Sequence, residues 1–222
     1  MFNRRVLVLV LVLLLAQDQK LAPISDAKRE PGFTSYLKRL TSAVARRDTK
    51  ALQKLTDPDV ICGGWVEKDE RGWANCAGRW KLEDNTSELW DVLADWIELG
   101  FVRETPGIFV TPYVVWKFPR DLDPDDYLVV LRDALPLREK PERGAKAVAT
   151  LAFDLVKRVD KQADLSGFAW VEVETASGVR GYVQAAQLRS PKMSRGQFSL
   201  KEGQWKLTVI DRAVIDRAVD TP

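Results

Sequence analysis

The residues best placed to do chemistry are carboxylates gathered around a tryptophan-rich stretch. Glu67, Asp69, Glu70, Glu83 and Asp84 lie among Trp65, Trp73, Trp80 and Trp90. Two carboxyls flanking a glycosidic bond, one giving a proton and one acting as base or nucleophile, suffice for glycoside hydrolysis. The chain contains no histidine. That removes Ser–His and Cys–His dyads, histidine bases and histidine metal ligands in one step. Nothing in the spacing selects two of these carboxylates, and charged loop residues are usually solvated. No catalytic residue is assigned, and the chain reads as a non-enzyme.

Trp65, Trp73, Trp80, Trp90 and Trp96 crowd into one stretch of a chain with eight tryptophans. Exposed indoles would stack on sugar rings; buried ones would simply pack. Trp96 sits on the apolar face of a helix, which favours packing, and Trp65 and Trp73 in the Gly-rich loop are the more exposed pair. Cys62 and Cys76 are the two cysteines of the chain. Without histidine they make a poor zinc site. A disulfide closing a turn-prone loop is expected, worth about 3 kcal/mol in a chain-entropy treatment. Asp121, Asp123, Asp125 and Asp126 invite a calcium reading but lack the glycine and distal glutamate of the twelve-residue loop. They read as a solvated turn with capping or strand-entry duty. No metal or cofactor is expected.

The elements that must position these groups follow from periodicity. "MFNRRVLVLVLVLLLA" joins a short basic region to the apolar run Val6 to Ala16. As a helix that run spans about 16 Å against roughly 30 Å of hydrocarbon, so it fits an export signal rather than a membrane span. Ala16 has Leu14 at −3, whereas the triplet ending at Ala27 has the better small-residue pattern, and the signal is drawn as residues 1–27 with its cleavage site open. A periplasmic or extracellular protein, with no stable membrane span after signal cleavage, is expected. Net charge is +2, and the two leader arginines account for it. A near-neutral mature chain lacks the overall footprint of nucleic-acid binding.

Residues 30–126 read as a helix-rich α+β domain. Leu37, Leu40 and Val44 keep helical spacing, Asp48 caps a second short helix carrying Leu52 and Leu55, and Pro58 closes it. "NTSELWDVLADWIELG" is a helix capped at Asn85, with Glu88 in the capping box and Gly100 at its end. "GIFVTPYVVWKF" reads as a strand broken at Pro112. Past Pro191, "GQFSLKEGQWKLTVID" alternates as a hairpin, and "VIDRAVIDRAV" repeats with a period matching neither helix nor strand. Residues 190–222 are therefore a hairpin and tail that would pack on the N-terminal region. A helix, an "RRD" break and "LQKLTDPDV" resemble the opening of nuclear-transport-factor-2-like α+β cones. That resemblance implies a small-molecule pocket; a cavity lined by Phe101, Phe109, Val115 or Trp116 would support it and a packed interior would remove it.

Residues 127–189 read as short strands separated by turns. "ALPLREKPE" (Ala134 to Glu142), "ATL" (Ala149 to Leu151) and "WVEVETASGVRGYVQAAQL" (Trp170 to Leu188) resemble a bacterial SH3-like (SH3b) domain. Pro136 and the insert "DKQADLSGF" beside Trp170 depart from that pattern. The fold class expected is thus α+β: a helix-rich α+β domain, a small all-β SH3-like barrel and a C-terminal hairpin. The resemblance implies a scaffold or binding module at the cell envelope, with cell-wall peptide or an envelope protein as partner. Trp170, Tyr182 and Phe168 would line its groove, although the strand-start positions of Trp170 and Tyr182 favour a core role for those two.

Overall fold

The computed structural model describes residues 19–63 and 71–211. The leader, Trp65 with Glu67, Asp69 and Glu70, and the second copy of the "VIDRA" repeat lie outside the described residues. The described residues form an α+β protein of five α-helices and two sheets.

Helix α1 (Pro31–Ala45) starts with proline at its first turn, where the missing N–H costs nothing. It buries Phe33, Tyr36, Leu40, Ala43 and Val44, leaving Leu37 at the edge of the face. Helix α2 (Thr49–Leu55) is capped by Asp48, whose side chain accepts from the Ala51 N–H at 2.9 Å. Strand β1 (Thr56–Cys62) follows, and α3 (Trp73–Arg79) is stapled to it by the Cys62–Cys76 disulfide, both sulfurs buried. Helix α4 (Leu89–Leu99) begins after the expected Asn85 cap. Asp84 takes the Thr86 N–H into a local turn instead, and the Ser87 hydroxyl accepts from the Leu89 N–H. Gly100 ends α4 at φ 84°.

Strands β2 (Val102–Thr105) and β3 (Ile108–Thr111) form a hairpin. The expected continuation of β3 past Pro112 does not occur: the Thr111–Pro112 peptide is cis, and Tyr113–Trp116 close a helical turn, α5. The first sheet is completed from the other end of the chain by β11 (Arg195–Lys201) and β12 (Gln204–Asp211), giving the order β1-β12-β11-β3-β2. Glu202 and Gly203, both at positive φ, make the tight turn between them. The helices cover one face, over a core of stacked rings. Phe33 lies 4.0 Å from Phe109, 4.9 Å from Trp205, 5.4 Å from Phe101 and 5.7 Å from Phe198, centroid to centroid.

The second sheet takes β4 (Tyr127–Val130), β5 (Leu135–Arg138), β6 (Ala147–Leu151), β7 (Leu155–Arg158), β8 (Trp170–Glu174), β9 (Arg180–Gln184) and β10 (Leu188–Arg189). Their order is β10-β4-β7-β8-β9-β5-β6. Among the described residues its first and last strands do not pair, so this is an open sheet and not the closed barrel expected from the sequence. Closure requires the register of the two end strands to meet, and β10 is only two residues long.

Val171, Val173 and Val183 point to this sheet's own core. A third cluster joins the sheets: Leu99, Val102, Val110, Tyr113 and Val114 from one side meet Val129 and Leu155 from the other. An N-terminal strap crosses that joint. The Leu21 N–H donates to Phe153 O at 2.7 Å in the turn between β6 and β7, and the Asp26 N–H donates to Phe101 O at 2.9 Å just ahead of β2.

Candidate functional site

The first sheet's helix-covered face is filled by packed rings. Phe101 and Phe109, two of the side chains expected to line a cavity, are buried among Phe33, Phe198 and Trp205, and Phe101 also borders a shallow, open cleft of about 400 Å³ beside Leu37 and Ile97. Val115 has a different fate. It lines a cleft of about 420 Å³ that opens where the two sheets join.

Three pieces of chain build this cleft. Val115 comes from α5, and Phe118, Pro119, Arg120, Leu122 and Pro124 from the link into β4. Pro191, Lys192 and Met193 come from the return link, and Arg195 and Asp211 from adjoining ends of β11 and β12. The prolines fix φ along both links, and short turns hold their shape. The Asp123 carboxylate accepts from the Asp125 N–H at 2.9 Å, and the Ser190 hydroxyl accepts from the Lys192 N–H at 3.1 Å. Val115, Phe118, Leu122 and Met193 are half-buried extensions of the joint cluster. The wall is therefore apolar and continuous with packed core.

Charges sit at the edges. Arg195 Nε donates to Asp211 Oδ2 at 2.6 Å, and Asp211 is buried with its other oxygen unpartnered among the described residues. Lys192 Nζ bonds Asp125 Oδ1 at 2.6 Å, bridging the two links across the mouth. Both members of that bridge are partly exposed, so it contributes under about 1 kcal/mol and resists opening only weakly. The four-aspartate run disperses. Asp123 closes a turn, Asp125 takes Lys192 and Asp126 takes Lys161. The hydrogen bond from Lys161 holds the Asp126 carboxyl below the usual range. Among the described residues, no group of acidic or cysteine side chains is placed to hold a metal ion.

The remaining sequence candidates fall elsewhere. Trp80, Trp90 and Trp96 are buried, while Trp73 is half-buried at the start of α3. Glu83 is exposed, and Asp84 is held below the ordinary carboxylate value by the Thr86 N–H. That is opposite to the raised value a glycosidase acid requires. On the second sheet, Trp170 pairs with Gln184 and Tyr182 with Glu172, which sets both aromatic side chains on the same outward face, half-buried and diagonal to one another. Phe168 stands apart, 80% exposed on the preceding loop. The cleft residues Met193, Pro191, Arg195 and Asp211 went unread in the sequence. The signal available was a proline-bounded link on each flank of one strand-rich stretch, "FPRDLDPDDY" and "RSPKMSR".

No family model matches the chain. No curated protein matches it either. Among solved structures it is similar to an NTF2-like protein with a cystatin-like fold from Novosphingobium aromaticivorans. The two are 13% identical over 87% of this chain and 84% of that chain, with a TM-score of 0.26. The SH3b resemblance is overturned. No family model of that kind matches, and the strands that carried the resemblance lie in an open sheet. The envelope-scaffold reading that rested on it falls with it.

Proposed function

We propose that this protein is a non-enzymatic, exported binder of a small apolar molecule, held in the cleft where the two sheets join. The observation that carries this reading is the cleft itself. It is about 420 Å³, within the size range of small-molecule sites, with an apolar wall and few polar groups at its edges. Its walls are pre-formed by prolines, so little ordering entropy opposes binding. Charged pairs at the rim keep the mouth wetted while Phe118, Leu122 and Met193 desolvate the ligand. Export is supported by the basic-apolar leader and by the disulfide, which persists in an oxidising compartment. The near-neutral charge argues against a nucleic-acid partner.

Methionine labelling tests this directly, because Met1 and Met193 are the chain's two methionines. With methyl-labelled methionine, the Met193 resonance, assigned by Met193→Leu, reports occupancy of the cleft. Titration with 2-naphthol and with decanol should shift it saturably, and Leu122→Arg should abolish the shift while the chain stays folded. A Met193 signal unmoved at millimolar concentrations of both probes rejects the cleft as the binding site.

A further inference from the structure

We infer that the mature chain begins at or before Gln19, and that any cut releasing the export leader falls ahead of the strap rather than after Ala27. The small-residue triplet ending at Ala27 is the better sequence match to a signal cleavage site, yet the structure commits the residues before it to the fold. The Leu155 N–H donates to Gln19 O at 2.9 Å, and the Leu21 N–H to Phe153 O at 2.7 Å, so the strap makes an antiparallel bridge to the turn between β6 and β7. Phe153 holds φ 56° at that turn. Lys20 Nζ lies 3.4 Å from the buried Asp154 carboxylate and donates to Ala152 O at 3.3 Å. A cut after Ala27 would leave Asp154 buried without this cation, a costly state.

The strap is equally committed at its other end. Leu21 is buried in the cluster joining the sheets, beside Tyr113 and Leu155. The Arg103 N–H donates to Asp26 Oδ2 at 3.2 Å, and Ala27 O accepts from the Thr34 hydroxyl at 2.8 Å. Gly100 supplies an independent sign. A Cβ there would stand 3.0 Å from Ile24 O and 3.3 Å from Ser25 Cβ, so the backbone at the end of α4 is shaped around the strap. The bond after Ala16 is the one with a small residue before it that spares all these contacts.

Two measurements decide it. The full chain is exported from a secreting bacterial host, and the intact mass and N-terminal residue of the product are determined. A product starting at residue 17, 18 or 19, or one retaining the leader, upholds the inference; a product starting at Lys28 overturns it. Separately, chains beginning at Gln17 and at Lys28 are purified and melted. The Lys28 chain should melt about 10 °C lower, or fail to fold, for a protein of this size. The full-length Leu21→Asp variant should fall in the same direction. Equal melting of all three chains overturns the inference. Neither measurement depends on ligand binding at the cleft.

Discussion

Gly196 lies in β11 directly beneath the ring of Trp96, and replacing it with alanine tests the packing of the first sheet. A Cβ built at Gly196 falls 2.3, 2.6 and 2.9 Å from Trp96 Cζ3, Cη2 and Cε3. Carbon atoms rest about 3.5–4.0 Å apart, so one of the two groups must move by an ångström or so. The ring has little freedom to do so. Trp96 is fully buried, and its Nε1 donates to Ser194 O at 2.9 Å. The strand is pinned on both sides, with Gly196 paired to Thr111 and to Ile210. Gly196→Ala should therefore cost about 3 kcal/mol, the upper end of ordinary overpacking, and lower Tm by about 6–12 °C. The assay is thermal and denaturant unfolding followed by tryptophan fluorescence and far-ultraviolet circular dichroism. A cycle with Trp96→Leu isolates the cause. Trp96→Leu alone should cost about 3 kcal/mol through the cavity it leaves. On that background Gly196→Ala should cost under about 1 kcal/mol, a coupling of about 2 kcal/mol. Additive losses would show that the alanine harms the strand for a reason other than the ring.

Reduction of the Cys62–Cys76 bond, a separation of 14 residues, should cost about 3 kcal/mol, read as a drop in Tm with reductant that the Cys62→Ala/Cys76→Ala variant no longer shows. Burial pushes the Asp57 carboxyl up, but the hydrogen bonds from Lys201, at 2.7 Å, and from the Asp59 N–H outweigh it and hold the group below its ordinary value. A depressed folded-state value stabilises above the unfolded value of about 3.9 and is lost as pH falls through the folded one. Asp57→Asn should thus be less stable than the parent at pH 7, and the two unfolding curves should converge below about pH 4; parallel curves across that range would contradict the pairing. Tyr113 is fully buried with no partner for its hydroxyl among the described residues, and burial pushes its pKa up to about 12. Tyr113→Phe should raise stability by about 1 kcal/mol in denaturant titrations, and a loss instead would reveal a hydroxyl partner at the joint.

The local elements were legible where one residue type decides them. Asp48 announced the start of α2, and Gly100 the end of α4. The α+β class followed from the switch between helical spacing in α1 and alternation in β8, β9 and β12. Closure of the second sheet was not legible, because it depends on whether β10 and β6 meet, and alternation within a strand carries no information about which edges remain free. The face of β8 was ambiguous for a related reason. In "WVEVE" either Trp170 or Val171 could lead the buried set, and the valines took the core. The cleft was out of reach because its lining is split between residues 115–124 and 191–211. Each link alone is an ordinary proline-rich connection, and only the pairing of distant strands brings them side by side.

The parallel pairing of β1 with β12, in which Thr56 meets Leu207, sets the order in which the molecule can be assembled. The strands at the centre of the first sheet follow all the other described strands in the chain, whereas the second sheet is contiguous and can form as soon as Arg189 has emerged. Until the final hairpin arrives, Phe33, Tyr36 and Trp96 lack the Phe198 ring that packs against all three, and long-range pairing of this kind is slow. An incomplete chain ending near residue 190 would carry a finished second sheet and an uncovered aromatic face, the kind of surface that aggregates. Translocation of an unfolded chain, with folding only after the last strand has crossed, would spare the protein that interval.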